Sequence, residues 1–205
     1  MNAVNSSLSF TEAAPEAPAP TFRALVRGDI EAWTKIWRGP SGEDTVSLRH
    51  GLKLVWTQCG LRATLLFRLS HALWRSHIPM LPGMVARLNL TLHGLDIPPS
   101  VEIGPGLYIP HPVGTVVMAQ RVGANVSLVS AITIGMRATP DFPVIGDGVF
   151  VGAGARILGA IIVGAGANIG ANAVVLKDVP PGATAVGVPA RILASKETIK
   201  DEDAF

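Results

Sequence analysis

From Ile145 to Val175 an aliphatic residue returns at every sixth position: Ile145, Val151, Ile157, Val163, Ile169, Val175. Two positions before the later ones stands another apolar or small residue, namely Val149, Ala155, Ile161, Ala167 and Ala173. A helix does not accommodate this period. At ~100° per residue, successive aliphatics land on three different faces instead of one stripe. A spacing of two suits a short strand that points both side chains inward. Glycine follows directly at Gly146, Gly152, Gly164 and Gly170, where a tight corner with unusual backbone angles is predicted. The pattern specifies a solenoid of short strands and corners, in which each rung buries its apolar edge only against its neighbours.

The register extends upstream. Ile97, Ile103 and Ile109 are six apart, as are Val122, Leu128 and Ile134. One rung near Val116 or Val117 carries an extra residue, and an insertion is looped out around residues 136–143. Before the repeat the pattern changes to helical. Helices are predicted over 22–37, 47–77 and 83–94, the second with Leu61, Leu65, Leu69 and Leu73 on one i, i+4 stripe. Arg62, Arg68 and His71 interrupt that stripe. The resulting division is a tail over 1–21, a basic helical segment over 22–94, the repeat over 95–194 and a charged tail over 195–205.

Charge separates these parts more than the net of +2 suggests. The helical segment holds ten Lys and Arg against four acidic residues, whereas the repeat balances five against five. The expectation for the segment is a solvated basic face over a helical cap, with peripheral contact to an anionic membrane as the second reading. No run approaches the ~20 apolar residues of a membrane span. Nucleic acid is disfavoured, because no reading motif or aromatic platform accompanies the charge. Cys59 is the single cysteine, which excludes a disulfide framework and a cysteine-based metal site and points to a cytoplasmic protein. The first 21 residues lack Lys, Arg and any long apolar run, so they read as a disordered tail rather than a leader.

Of five histidines only His111 lies in the repeat. It sits at a corner two residues after Ile109, between Pro110 and Pro112, which stiffen its backbone. A corner points outward, and an imidazole with pKa near 6.5 is the natural candidate here for a general base. Asp96 opens the first rung fifteen residues earlier. A carboxylate on an adjacent rung could hold the ring N–H and fix the tautomer.

The segments LDIPPSVEIGPGLYIPHPVGTVV, VSAITIG and IGDGVFVGAGARILGAIIVGAGANIGANAVVLKDVPPGATAVGVPARIL, preceded by FRLSHALW, resemble the serine acetyltransferases of the hexapeptide-repeat acyltransferase superfamily. The resemblance spans about residues 22–193. It implies a mainly β fold, a left-handed parallel β-helix with an N-terminal α-helical segment, assembled as a homotrimer with active sites between subunits. It implies acetyl-CoA as co-substrate and no metal. His111 matches the catalytic base, Asp96 its partner carboxylate, and Gly135 the glycine whose N–H faces the developing oxyanion. Ala153 and Ala171 match small corner residues along the pantetheine arm; Lys177 and Arg191 match basic positions near the nucleotide phosphates.

Two departures bear on the acceptor. The residue before the base is Pro110, where the family carries aspartate. The loop GMRATPDFPVIG has Asp141 and Phe142 where the family places an Arg-His pair that holds the serine carboxylate. An acid and an aromatic do not provide paired cationic donors, although Arg137 stands in the same loop as a substitute. Phe142 beside Asp141 suits a sugar ring, a pattern that resembles the exopolysaccharide-biosynthesis branch. The expectation is therefore an O-acetyltransferase acting on a sugar hydroxyl, free or lipid-linked. L-serine O-acetylation for cysteine synthesis is the alternative, and a non-catalytic interaction scaffold the third reading.

Overall fold

The computed structural model describes residues 20–38 and 48–193. The predicted tails, 1–21 save Pro20 and Thr21 and 195–205 entire, therefore lie outside the described residues, as does Ala194 at the end of the predicted repeat. Four helices come first: α1 (Phe22–Arg38), α2 (Leu48–Thr57), α3 (Cys59–Arg75) and α4 (Leu81–His93). The long helix predicted over 47–77 is broken at Gln58, whose backbone is extended (φ −105°, ψ 106°). Arg62 stabilises the break by donating from Nη1 to the carbonyls of Val55 (3.2 Å) and Trp56 (2.6 Å), which the end of α2 leaves without helical partners.

Fourteen short strands follow as a parallel β-solenoid of three sheets. The first sheet orders β1 (Leu95–Asp96), β3 (Thr115–Val117), β6 (Thr133–Gly135), β9 (Arg156–Leu158) and β12 (Val174–Val175). The second stacks β2 (Glu102–Ile103), β4 (Arg121–Val122), β7 (Val144–Ile145) and β10 (Ile162–Val163). The third carries β5 (Ser127–Leu128), β8 (Phe150–Val151), β11 (Asn168–Ile169), β13 (Thr184–Val186) and the antiparallel β14 (Arg191–Leu193). The six-residue aliphatics are the inward residues of successive strands: Ile145, Val151, Ile157, Val163, Ile169 and Val175 are all buried in one core.

The corner glycines serve a different purpose from the one expected. Gly146, directly after Ile145, has an ordinary φ; a Cβ there would lie 2.6 Å from the backbone N of Ala165 in the next coil. Close stacking of coils requires it. The left-handed angle appears two residues later, at Gly148 (φ 65°).

The helices dock through a face that the leucine stripe indicated only in part, since Leu61 is buried and Leu65 packs beside it. Leu69 is 42% exposed, while Gly60, Leu61, Ala63, Thr64, Phe67, Arg68, Ser70 and His71 are buried. Arg68 is thus not part of a solvated basic face. Its guanidinium meets Asp29 of α1 and donates to the carbonyls of Ile103 and Gly104, each at 2.6 Å. Asp29 Oδ1 in turn accepts from Gly106 N–H (3.0 Å) and Leu107 N–H (2.9 Å). Trp33 packs on Tyr108 with ring centroids 4.6 Å apart. These contacts fasten α1 and α3 to the coil that leads into His111. Among the described residues no helix is long and apolar enough to cross a membrane.

Candidate active site

The coils align one corner into a column. His111 bridges to Ser130 in parallel register. Leu128 pairs with Val151, and Val151 with Ile169, so two residues further on Ser130, Ala153 and Ala171 follow one another. Backbone bonds tie the column: Gly154 N–H to Ser130 O and Asn172 N–H to Ala153 O, each 2.8 Å. The same register carries it past Ala171 to Gly187, one residue beyond Val186, which pairs with Arg191. At ~4.8 Å per rung, the four steps from His111 to Gly187 span about 19 Å. An exposed imidazole stands at the bottom, small residues line the middle and a guanidinium stands at the top. Arg156 stiffens the corner by donating from Nη1 to the carbonyls of Ala131 (2.6 Å) and Gly154 (2.9 Å).

The other predicted residues lie on the opposite edge of the first sheet. Gly135 pairs with Leu158, and the register of Val175 with Ile157 puts Lys177 beside Gly159. From the His111 corner to Gly135 the chain crosses the width of that sheet, about 10 Å at ~3.3 Å per residue. One chain therefore does not bring the base and Gly135 to a common atom. Asp96 is half-buried on β1, paired with Val116. Among the described residues no hydrogen bond joins its carboxylate to His111.

In the loop, Thr139 Oγ1 donates to Asp141 Oδ2 at 2.6 Å. Phe142 is half-buried and the following Pro143 is buried, its carbonyl accepting from Gln120 N–H at 2.9 Å. Arg137 is exposed.

Several neighbours of His111 were not found by sequence reasoning. Ser130 is one; the nineteen-residue step from His111, one coil in length, is the signal that locates it. Gly60 is another: a Cβ on it would collide with the carbonyl oxygen of Ile109, so α3 rests directly on the segment carrying His111. His93 ends α4 at the foot of the column, where Gly114 N–H donates to Gly94 O at 3.0 Å. Asn89 Nδ2 donates to Ala63 O, which leaves Asn89 Oδ1 to accept from His93 Nδ1–H at 3.0 Å. Burial, and then the Arg62 charge, hold the His93 pKa below the ordinary histidine range. No group of three or more potential metal ligands occurs among the described residues.

Residues 142–177 match the family described as bacterial transferase hexapeptide (six repeats). Serine acetyltransferase of Mycobacterium tuberculosis is 35% identical over 176 residues, covering 84% of this chain and 73% of that protein. The chain belongs to the serine acetyltransferase family. Solved structures agree. Soybean serine acetyltransferase complexed with serine superposes with a TM-score of 0.73 at 35% identity, over 84% of this chain and 69% of that one. A serine acetyltransferase in complex with CoA gives 0.72 at 34% identity, over 84% and 69%. The fold is the β-solenoid with an N-terminal helical region that the repeat implied, and membership of this family makes the chain an acyltransferase.

Proposed function

We propose that this acetyltransferase moves an acetyl group from acetyl-CoA to the hydroxyl of L-serine. The observation that carries the donor half is the column from His111 to Gly187, a narrow shelf about 19 Å long with a base at one end and Arg191 at the other. It suits an extended pantetheine arm with its thioester at the imidazole and its phosphates toward the guanidinium. Ala153 and Ala171 leave room for the arm, and Lys177, on the opposite edge of the first sheet, would reach the nucleotide end only from a neighbouring copy.

Serine as acceptor rests on the relatives, which are serine acetyltransferases at 33–40% identity. They favour serine over the sugar acceptor expected from the loop, and the exopolysaccharide branch has no support among them. The loop geometry supplies a reason: Asp141 is engaged by Thr139 and Phe142 is half-buried, so the pair is not an open stacking platform.

In this reading His111 removes the serine hydroxyl proton as the oxygen attacks the thioester carbonyl. Asp96, which makes no hydrogen bond to His111 among the described residues of the single chain, is the carboxylate assigned to orient the ring once the site is assembled. The oxyanion forms against a backbone N–H at Gly135, the carbon–sulfur bond breaks, and the proton held by His111 passes to the departing thiolate. Since one chain separates His111 from Gly135, each site takes the two from neighbouring copies of a homotrimer. The outer side of the first sheet, with Val116, Met118, Leu158, Val174 and Leu176, is an aliphatic face suited to that packing. The test is thiol release from acetyl-CoA with L-serine, set against a panel of nucleotide-linked and lipid-linked sugars. Turnover with a sugar and none with serine would reverse the acceptor assignment.

A further inference from the structure

We propose that Arg156 is a positioning residue for the transfer reaction, holding the corner against which His111 is laid; the inference rests on His111 as the base proposed above. The register stacks four corner residues on one another: Gly114, Ala131, Gly154 and Asn172. All four have left-handed backbone, with φ of 73°, 50°, 73° and 56°. Glycine adopts that conformation freely and asparagine tolerates it, whereas the Cβ of an alanine crowds the following carbonyl. Among the described residues of the solenoid, the other non-glycine residues with positive φ are Asn125 and Asn172. Ala131 is thus the corner residue whose type disfavours its own conformation. It directly follows Ser130, the ladder neighbour of His111.

Arg156 supplies what the residue type does not. From β9 its Nη1 reaches back to three carbonyls, those of Ala131 (2.6 Å), Gly154 (2.9 Å) and Ala155 (3.2 Å). Among the described residues no carboxylate pairs with it. The bond to Ala131 O is the shortest of the three, and it fixes the peptide that follows the strained residue. From there backbone bonds lead to the base. Gly154 N–H donates to Ser130 O at 2.8 Å, and His111 N–H donates to Val129 O at 3.3 Å. The guanidinium therefore joins coil to coil at the level where the imidazole emerges. Without it Ala131 is free to return to an ordinary φ, and Ser130 and the chain beneath His111 move with it. A displaced base loses rate steeply, because it must lie within hydrogen-bond reach of the hydroxyl proton. The upper shelf keeps its own bond, Asn172 N–H to Ala153 O at 2.8 Å, so the effect falls on the base more than on donor binding.

The test is thiol release from acetyl-CoA by full-length wild type, Arg156→Gln, Arg156→Lys, Ala131→Gly and the double variant Arg156→Gln with Ala131→Gly. The acceptor is L-serine or whichever member of the panel above the wild type turns over, so the outcome does not hang on the serine assignment. Arg156→Gln should lower kcat roughly 10- to 100-fold, with KM for acetyl-CoA and for the acceptor within a few-fold. Ala131→Gly alone should stay near wild type. In the double variant glycine keeps the left-handed angle without the clamp, so kcat should recover roughly 5-fold or more. Arg156→Lys should retain part of the rate, since a cation still reaches the Ala131 carbonyl. The rescue is decisive, because a glycine at the corner does not restore any other contact of Arg156, including one between copies. Should Arg156→Gln not fold, Arg156→Lys with and without Ala131→Gly makes the same comparison. Wild-type kcat in the Arg156 variant, or a double variant as slow as the single one, overturns the proposal and leaves His111 as the base. Unimpaired turnover by His111→Ala overturns both.

Discussion

Arg68 and Asp29 meet through two hydrogen bonds, Nε to Oδ2 at 2.8 Å and Nη2 to Oδ1 at 3.0 Å, with both side chains fully excluded from solvent. Burial pushes the Asp29 carboxyl above its usual range, while Arg68 and the N–H groups of Leu107 and Gly106 pull it back. Such a pair contributes little net stability, yet breaking one side strands the other charge in the interior. Asp29→Ala should therefore destabilise the protein by about 3–5 kcal/mol. Asp29→Leu combined with Arg68→Met should recover most of that loss. Urea unfolding of the three proteins decides it, and an Asp29→Ala midpoint equal to wild type would show the pair to be idle.

His111→Ala should reduce kcat by at least ~10²-fold, the usual scale for a positioned general base. CoA affinity by titration calorimetry should be retained, since the shelf above the base is untouched. Unimpaired turnover removes His111 from the chemistry.

Ala171 is an exposed residue of the column, with no core role to lose. Ala171→Leu should leave the melting temperature unchanged while obstructing the shelf. Overpacking typically costs about 1–3 kcal/mol, so KM for acetyl-CoA should rise roughly 5- to 150-fold. A rise in serine KM alone would place the cofactor elsewhere.

Gly60 allows α3 to touch the chain at Ile109. Gly60→Ala must displace one of them, with a stability cost of about 1–3 kcal/mol. Because His111 follows two residues later, kcat should fall further than CoA affinity does. Equal losses in both would mark the contact as structural support only.

His93 sets an acid limit. Its native pKa lies below that of the unfolded chain, so the unfolded state takes the proton first. Stability is complete above the unfolded value of about 6.5 and declines as pH falls through it. His93→Gln should shrink the drop in melting temperature between about pH 7.5 and about pH 5.5. A drop as large as in wild type assigns the acid sensitivity to another group.

The inward aliphatics were legible because a period of six can be satisfied by strands and corners and by no helix, and Ile145 through Val175 are all buried as that logic requires. The helical face was legible only in part, at Leu61 and Leu65. Leu61, Leu65, Leu69 and Leu73 make the more apolar stripe of α3, yet the helix turns Phe67, Arg68 and His71 inward. Arg68 finds its partner 39 residues away in Asp29, and a local pattern holds no record of a distant partner. The candidate column was half legible: His111 stood out by chemistry, whereas Ser130 emerges only when the coils are stacked. Gly60 carries no side chain to signal its role, which is set by what lies against it.

Val122 and Ile145 sit side by side in the ladder although 23 positions separate them, against 18 between Ile145 and Val163. The surplus leaves the stack as the 136–143 loop and returns without shifting the strands above it. The inserted loop and the stacked scaffold are thus written in separate passages of the chain. Descendants of such a sequence are free to rewrite the short passage, lengthen it or exchange it, and inherit the architecture whole.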